Sequence, residues 1–311
     1  MLRAFIMMML GISSIPAGAQ TLLPRHNDNV EAVAIDLKPA FGIGLSKTSF
    51  NFAGNIEGTN PNILSELIWD KTYSANYGAD LTLRYRKFYL QTSINISRNF
   101  SGDVSDIDYN KDNRQDPFGE TYHSNHKGNG LVFSIQPGYT VLKQDHQSLT
   151  LFASFEQMRQ RNYLLNPKYL EPNDRNYFDG LNSYYEYNFP NYGIGLAYTK
   201  ALGVKIQTHL QLEAYYGKYD AYGSWNLRQE FQQPLSYEHR GDGIKIKPSV
   251  GIHYLFTDKI SLNLQYAFDY YYLQKGRDYL YLIPNQTTIS RLNEVSLLQN
   301  NLSLGLNFKI K

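Results

Sequence analysis

Ile260-Ser261-Leu262-Asn263-Leu264-Gln265-Tyr266-Ala267-Phe268-Asp269-Tyr270-Tyr271-Tyr272 alternates almost without a break. Its even positions are Ile, Leu or aromatic, and its odd positions begin Ser, Asn, Gln, Ala, Asp. A β-strand points successive side chains to opposite faces, so this stretch has one oily face and one wet face. The same period recurs in Val204 to Tyr216, where Val204, Ile206, Leu210 and Leu212 oppose Lys205, Gln207, His209, Gln211 and Glu213. It recurs in Phe88 to Ser97 and in Ile244 to Phe256, where Lys245, Lys247 and His253 share the polar face. At the C-terminus Leu302, Leu304, Leu306, Phe308 and Ile310 alternate with Ser303, Gly305, Asn307, Lys309 and Lys311.

These runs exceed the ~5–6 residues of an ordinary strand and reach the ~9–11 that cross a bilayer as tilted β-structure. About ten are expected, near 31–53, 62–85, 88–100, 129–143, 148–162, 190–201, 203–221, 236–256, 259–275 and 295–311. Tight connections at Arg86-Lys87, Lys143 to Gln147, Ala201 to Val204 and Thr257 to Lys259 alternate with long polar segments, 101–128, 162–190, 222–236 and 276–294. Short turns at one end and long loops at the other describe an outer-membrane barrel. In lipid no backbone N–H can stay unpaired, so the sheet must close on itself. The expected fold is therefore all-β: a closed antiparallel transmembrane β-barrel of about ten strands with long extracellular loops, located in a bacterial outer membrane. A soluble β-sandwich also alternates, but its strands are shorter.

Composition agrees. Lys+Arg 30 against Asp+Glu 28 gives a net charge of +2, which excludes a nucleic-acid binder driven by a basic surface. There is no cysteine, hence no disulfide framework and no thiolate metal site. The mean hydropathy of -0.46 is too polar for a bundle of membrane helices. Tyr is abundant at 27, against 16 Phe and 2 Trp. Tyr184, Tyr185, Tyr187, Tyr270, Tyr271 and Tyr272 fall near loop-side strand ends, where amphipathic rings suit the headgroup level. Carbohydrate stacking is an alternative use for them. Glu66, Arg84, Arg86, Glu213, Lys245 and Asp269 are expected to line a packed, partly hydrated interior. His209 and His253 are expected there too, as hydrogen-bonded fillers.

Met1 to Ala19 reads as a signal peptide: Arg3 in the n-region, an apolar core from Ala4 to Ile12, and Ala17-Gly18-Ala19 as the cleavage site. A retained anchor helix is the alternative. Residues 20–311 would then form the barrel.

The first long loop holds Asp103, Asp106, Asp108, Asp112 and Asp116. Asp106 and Asp108 stand two apart, so a strand would put both carboxylates on one face. Their mutual repulsion raises the pKa of one, as an acid/base pair or a water-fixing site requires. A calcium reading competes, with Asp106, Asp108, Asn110 and Asp112 as ligands in a D-x-D-x-N-x-D series. An EF-hand loop would want Gly at its sixth position and Glu at its twelfth, and Lys111 and Pro117 stand there instead. A solvated acidic loop tip is the third reading.

Three segments resemble, in order and spacing, the omptins, ten-stranded outer-membrane proteases. Ser65-Glu66-Leu67-Ile68-Trp69 is similar to the family's S-x-L-x-W on the second strand. Asp106-Ile107-Asp108-Tyr109 is similar to its D-x-D-W, and Glu120-Thr121-Tyr122-His123 to its E-S-R-H. The resemblance runs from about residue 35 to the C-terminus. It implies a water held by Asp106 and Asp108 and activated by an Asp-x-His dyad on the opposite wall, near residues 217–227. That segment contains Tyr219-Asp220-Ala221-Tyr222-Gly223 and no histidine. His123 and His126, in the aspartates' own loop, are the stand-ins, with His123 the candidate base. Gly119 rather than an acidic residue precedes Glu120, so the family's pocket for basic side chains is not matched either.

Three functions follow as expectations. The favoured one is an omptin-like barrel that is not a protease and serves as a surface binding or structural protein. An endopeptidase using Asp106 and Asp108 with a relocated base, and a small pore, are the alternatives. The expected partners are outer-membrane lipid, with lipopolysaccharide as the lipid, and a peptide or surface ligand at the loops. No nucleic acid is expected, and the barrel is expected to be a monomer.

Overall fold

The computed structural model describes residues 33–168 and 179–310. The leader reading, the start of the mature chain, and the middle of the 162–190 segment lie outside the described residues. Eleven antiparallel strands form one sheet: β1 (Ala34–Phe52), β2 (Ser65–Tyr85), β3 (Phe88–Lys111), β4 (Gln115–Ser124), β5 (Asn129–Gln144), β6 (Gln147–Lys168), β7 (Ser183–Ala201), β8 (Ile206–Ser224), β9 (Tyr237–Leu255), β10 (Ile260–Leu282) and β11 (Gln286–Lys309). β1 pairs with β2 on one side and β11 on the other, which closes the ring. β4 and β5 both lie between β3 and β6, one above the other, so eleven segments fill ten staves.

The lower half of the barrel is inside-out relative to a soluble protein. Phe41, Ile43, Leu45, Ile94, Ile96, Ile194, Ile244, Ile246, Leu302, Leu304 and Leu306 are exposed on its outer face. Ser74, Asn76, Ser97, Gln136, Glu156, Glu213, Lys245 and Asn263 are buried within. Lipid contact explains the first set, and a filled, hydrated lumen the second. Glu156 forms the hub of that filling. It lies 2.7 Å from Lys245 and 3.3 Å from Lys247, and Lys245 also reaches Asp269 at 3.6 Å. Below, His209 bonds Thr199 and Gln211, and His253 bonds Asn263, so both histidines are fillers as expected.

The strands do not stop at the membrane. β3 runs on to Lys111 and returns as β4, so most of 101–128 is a tall hairpin rather than a loop. β6 and β7 extend into 162–190 and β10 and β11 into 276–294, while 225–236 remains a loop. Outside lipid the outward face turns polar, and such a strand, polar on one side and interrupted by Gly and Asn, reads as a loop. Two further expectations are corrected. Lys71, at φ 46, marks an irregularity in β2 that switches which face is inward, so Glu66 points outward and pairs with Arg114. Arg86 belongs to the β2–β3 turn. Of the tyrosine cluster, Tyr185, Tyr187 and Tyr271 turn inward and are buried, and only their neighbours face outward. Consecutive strand residues cannot share a face, so a girdle takes at most alternate ones.

Candidate functional site

Above the charged layer the lumen is packed with Phe50, Trp69, Tyr185, Tyr187, Phe189, Tyr219, Tyr237 and Tyr271. The two aspartates stand at this level on β3. Its register puts Asp106 beside Leu67 of β2 and Thr121 of β4, and Asp108 beside Ser65 and Gly119. Both share the inward face with buried Val104. Burial, then the charge of Asp108, pushes Asp106 up to about 7, against a smaller pull from Arg228. Burial also raises Asp108, opposed by a hydrogen bond from Ser65 and by Arg228. The pair therefore holds a proton near neutral pH, as a site for acid or base chemistry does.

His123 is on the same wall, paired with Val104, one inward step deeper than Asp106. Its Nε2 lies 2.9 Å from the Thr121 hydroxyl, which in turn donates to the Asp106 backbone carbonyl at 3.5 Å. The link runs to the backbone of Asp106, not to its carboxyl. Burial lowers His123 to about 4, so it is neutral at pH 7. His126 is exposed beyond the strand end. The register shifts after Asp108, and the remaining calcium candidates diverge. Asn110 is exposed, and Asp112 accepts a hydrogen bond from the Asn62 amide at 2.7 Å. Among the described residues no group of three or more His, Asp or Glu side chains converges to hold a metal.

On the opposite wall β8 presents Tyr219 and Ala221 inward, while Asp220 is exposed outside. Directly across from Ala221, however, β9 carries His239, and across from His239 stands Asp278 of β10. His239 Nε2 is 3.2 Å from Asp278 Oδ1, and Ser290 donates to Asp278 Oδ2 at 2.9 Å. His239 Nδ1 is 2.8 Å from the Tyr185 hydroxyl. Phe50 meets the imidazole edge-on at 4.5 Å and Tyr237 lies 5.1 Å away, and His239 is 0% exposed. Tyr237 connects the two walls. Burial, then the charge of Asp106, keeps its phenol protonated. Gly223 makes room for it, because a Cβ there would lie 2.1 Å from the Tyr237 ring. A search for Asp-x-His along one strand misses a pair that bridges two strands. The only sequence signal is that His239 and Asp278 each fall near the loop-side end of adjacent expected strands.

The model of the family described as Pom, Protochlamydia outer membrane protein, matches residues 40–310. The chain belongs to the Pom family. No curated protein matches the sequence. Among solved structures, the outer membrane protease OmpT from Escherichia coli is similar over 91% of this chain and 100% of its own, at 14% identity and a TM-score of 0.70. That likeness shows a shared ten-stave barrel fold. OprG from Pseudomonas aeruginosa matches 91% of this chain and 98% of its own at 9% identity, but with a TM-score of only 0.35. The autotransporter NalP translocator domain from Neisseria meningitidis matches 87% and 88% at 6% identity and 0.36. This Pom-family chain is an outer-membrane β-barrel.

Two further features of the Pom barrel frame its mouth. The 225–236 loop folds over it, with Gln232 donating its amide to Tyr281 and Glu230 accepting from Ile283, both at 2.9 Å. On the outside, just above the apolar band, Arg159 and Arg161 converge on Glu186 at 2.7 and 2.6 Å. Arg161 caps the Tyr184 ring at 4.2 Å and Lys127 the Tyr163 ring at 5.0 Å.

Proposed function

We propose that this Pom-family barrel is a non-proteolytic surface protein: a filled cylinder whose raised sheet makes binding and structural contacts at the cell surface. The observation that carries the reading is the burial of His239. It is the imidazole nearest the wall where a second dyad is expected, yet Phe50, Tyr185 and Tyr237 enclose it. A general base must come within hydrogen-bond reach of the water it deprotonates, directly or through one water. The lumen is filled at two levels, by the Glu156 ion cluster and by the aromatic layer, which argues against a solute path. The outward Arg159, Arg161 and Lys127, each beside an aromatic ring or a carboxylate at headgroup height, support lipopolysaccharide as the lipid partner. The wet hairpin β3–β4 supports a peptide or polar ligand at the mouth.

One observation favours endopeptidase chemistry as a second reading. Asp106 is held near 7, and Tyr237 joins its field to the His239–Asp278 pair. The test uses refolded protein with lipopolysaccharide and a dibasic fluorogenic peptide. The surface-protein reading expects no cleavage above a double Asp106→Ala, Asp108→Ala control. Cleavage lost in that control and in His239→Ala would replace it with the peptidase. Planar-bilayer recording is expected to show no steady conductance, and an open channel of porin size would overturn the filled-lumen argument.

A further inference from the structure

The chain has only two tryptophans, Trp69 and Trp225, and both flank one string of buried tyrosines. Trp225, in the mouth loop, meets Tyr237 at 4.8 Å. Tyr237 stacks on Tyr185 at 6.0 Å, and Tyr185 stacks on Trp69 at 5.5 Å with planes 12° apart. The Tyr185 and Tyr219 hydroxyls are 2.7 Å apart, and Tyr219 stacks on Tyr271 at 5.9 Å. Tyrosine and tryptophan are the most readily oxidised side chains available in a chain without cysteine. Steps of this length are short enough for an electron to hop between rings.

An oxidised phenol is a strong acid, so a buried tyrosine loses an electron readily only if its proton has somewhere to go. The Tyr237 and Tyr271 hydroxyls are buried without a hydrogen-bond partner among the described residues. Tyr185 differs, because its hydroxyl meets His239 Nδ1 at 2.8 Å. Directions along the chain are mutually consistent. With the imidazole proton on Nε2, which lies 3.2 Å from Asp278 Oδ1 at ion-pair distance but outside hydrogen-bond geometry, Nδ1 accepts from the Tyr185 hydroxyl, and that hydroxyl can in turn accept from Tyr219. The partner of one ring nitrogen fixes which nitrogen carries the proton. Asp278 stands ready to balance an imidazolium, and Ser290 holds that carboxylate.

We propose that Tyr185 is a redox-active tyrosine, with His239 as its proton acceptor and Tyr237 and Trp225 as the electron path to the barrel mouth. The co-reactant is a one-electron oxidant at the mouth, such as a peroxyl radical or a photogenerated metal complex. In the step, the Tyr185 O–H bond breaks and an N–H bond forms on His239 Nδ1. One electron crosses the Tyr237 ring, which bridges without itself being oxidised, to Trp225 and on to the oxidant, which is reduced by one electron. The products are a neutral tyrosyl radical, an imidazolium paired with Asp278, and the reduced oxidant. This assignment is independent of whether the mouth binds or cleaves a peptide.

The experiment is flash photolysis of the refolded full barrel with ruthenium tris-bipyridine and persulfate, followed by freeze-quench electron paramagnetic resonance. The expected result is a neutral tyrosyl radical, lost in Tyr185→Phe and formed more slowly in Trp225→Phe. In His239→Gln its yield falls about tenfold, the order set by losing a hydrogen bond to a charged group. Heat-modifiable mobility on gels verifies that each variant is folded. If His239→Gln does not fold, double resonance on the wild type with 15N-histidine replaces it, and coupling of the radical to an imidazole nitrogen is expected. An unchanged radical in Tyr185→Phe, an unchanged yield in folded His239→Gln, or absence of that nitrogen coupling each overturns the proposal.

Discussion

Lys245→Met should be among the most damaging substitutions in the lumen. Lys245 is 3% exposed, with Nζ 2.7 Å from Glu156 and 3.6 Å from Asp269. Its removal leaves Glu156, itself 0% exposed, with Lys247 at 3.3 Å, a cation it shares with Glu213 at 4.0 Å, and the neutral amide of Asn191 at 3.4 Å. Asp269, whose Oδ1 is already without a hydrogen-bond partner, loses the cation that faces its Oδ2. Breaking one side of a buried pair costs about 3–5 kcal/mol, because the stranded charge keeps its desolvation penalty. Replacing both members with shapes of similar size removes that penalty. The double variant Lys245→Met, Glu156→Gln should therefore recover at least about half of the loss. Urea unfolding of refolded protein in detergent, followed by gel mobility and by the fluorescence of buried Trp69, measures both. A single-variant loss below about 1 kcal/mol, as for an exposed pair, would show that the lumen is wet enough to screen these charges. A double variant as weak as the sum of the singles would show that the pair is not coupled.

Other consequences are read as directly. Asp106, raised to about 7 from 3.8, binds its proton more tightly when folded. Its ionisation therefore destabilises the fold, progressively from about pH 4 to about pH 7. Infrared spectroscopy should show a carboxylic C=O band that titrates near neutrality and vanishes in Asp106→Asn; no band at pH 6 would refute the shift. Gly223→Ala forces a Cβ to within 2.1 Å of the Tyr237 ring and should cost about 1–3 kcal/mol in urea unfolding. Gly203→Ala, with nothing within 4 Å, should change stability by less than about 0.5 kcal/mol. Ile194, 71% exposed on the outer face, should cost about 2–4 kcal/mol as Ile194→Arg in lipid vesicles if it lies near the bilayer midplane. A neutral result there would remove it from the acyl chains.

Much of this was legible in the sequence, and the part that was not has a physical reason. Inside the bilayer the constraint is severe, because every outward residue meets hydrocarbon. Ile244, Ile246, Val250, Ile252 and Tyr254 therefore announce their face without reference to any other strand. Short turns such as Arg86-Lys87 gave the strand ends equally well. That Asp106 and Asp108 share one face also followed from their spacing. What stayed hidden depends on register between strands. His239 and Asp278 are 39 positions apart by number but directly opposed across β9 and β10. The inversion at Lys71, which sends Glu66 outward, is a one-residue irregularity that no alternation count detects when polar residues occupy both faces.

The change in lining along the barrel follows from what surrounds it. Within the membrane, lipid takes the apolar face, so the inward side is left with Glu156, Glu213, Lys245 and Lys247, which must satisfy one another in a low-dielectric space. Above the membrane the outside is water, and the ordinary arrangement returns. Leu67, Trp69, Val104, Leu273, Leu292 and Val295 turn inward and are buried, while Asp103 and Asp220 are exposed. The raised section thus has a hydrophobic core of its own, stacked on a polar one. A site placed at this junction inherits both environments. Asp106 faces an apolar layer that favours its protonated form, yet it lies at the end of the barrel open to solvent. His239, 0% exposed, is enclosed in the same layer by rings from β1, β7 and β9. The same aromatic packing that encloses this imidazole brings the Tyr185 hydroxyl to 2.8 Å from its Nδ1 and stacks Tyr185 against Tyr237.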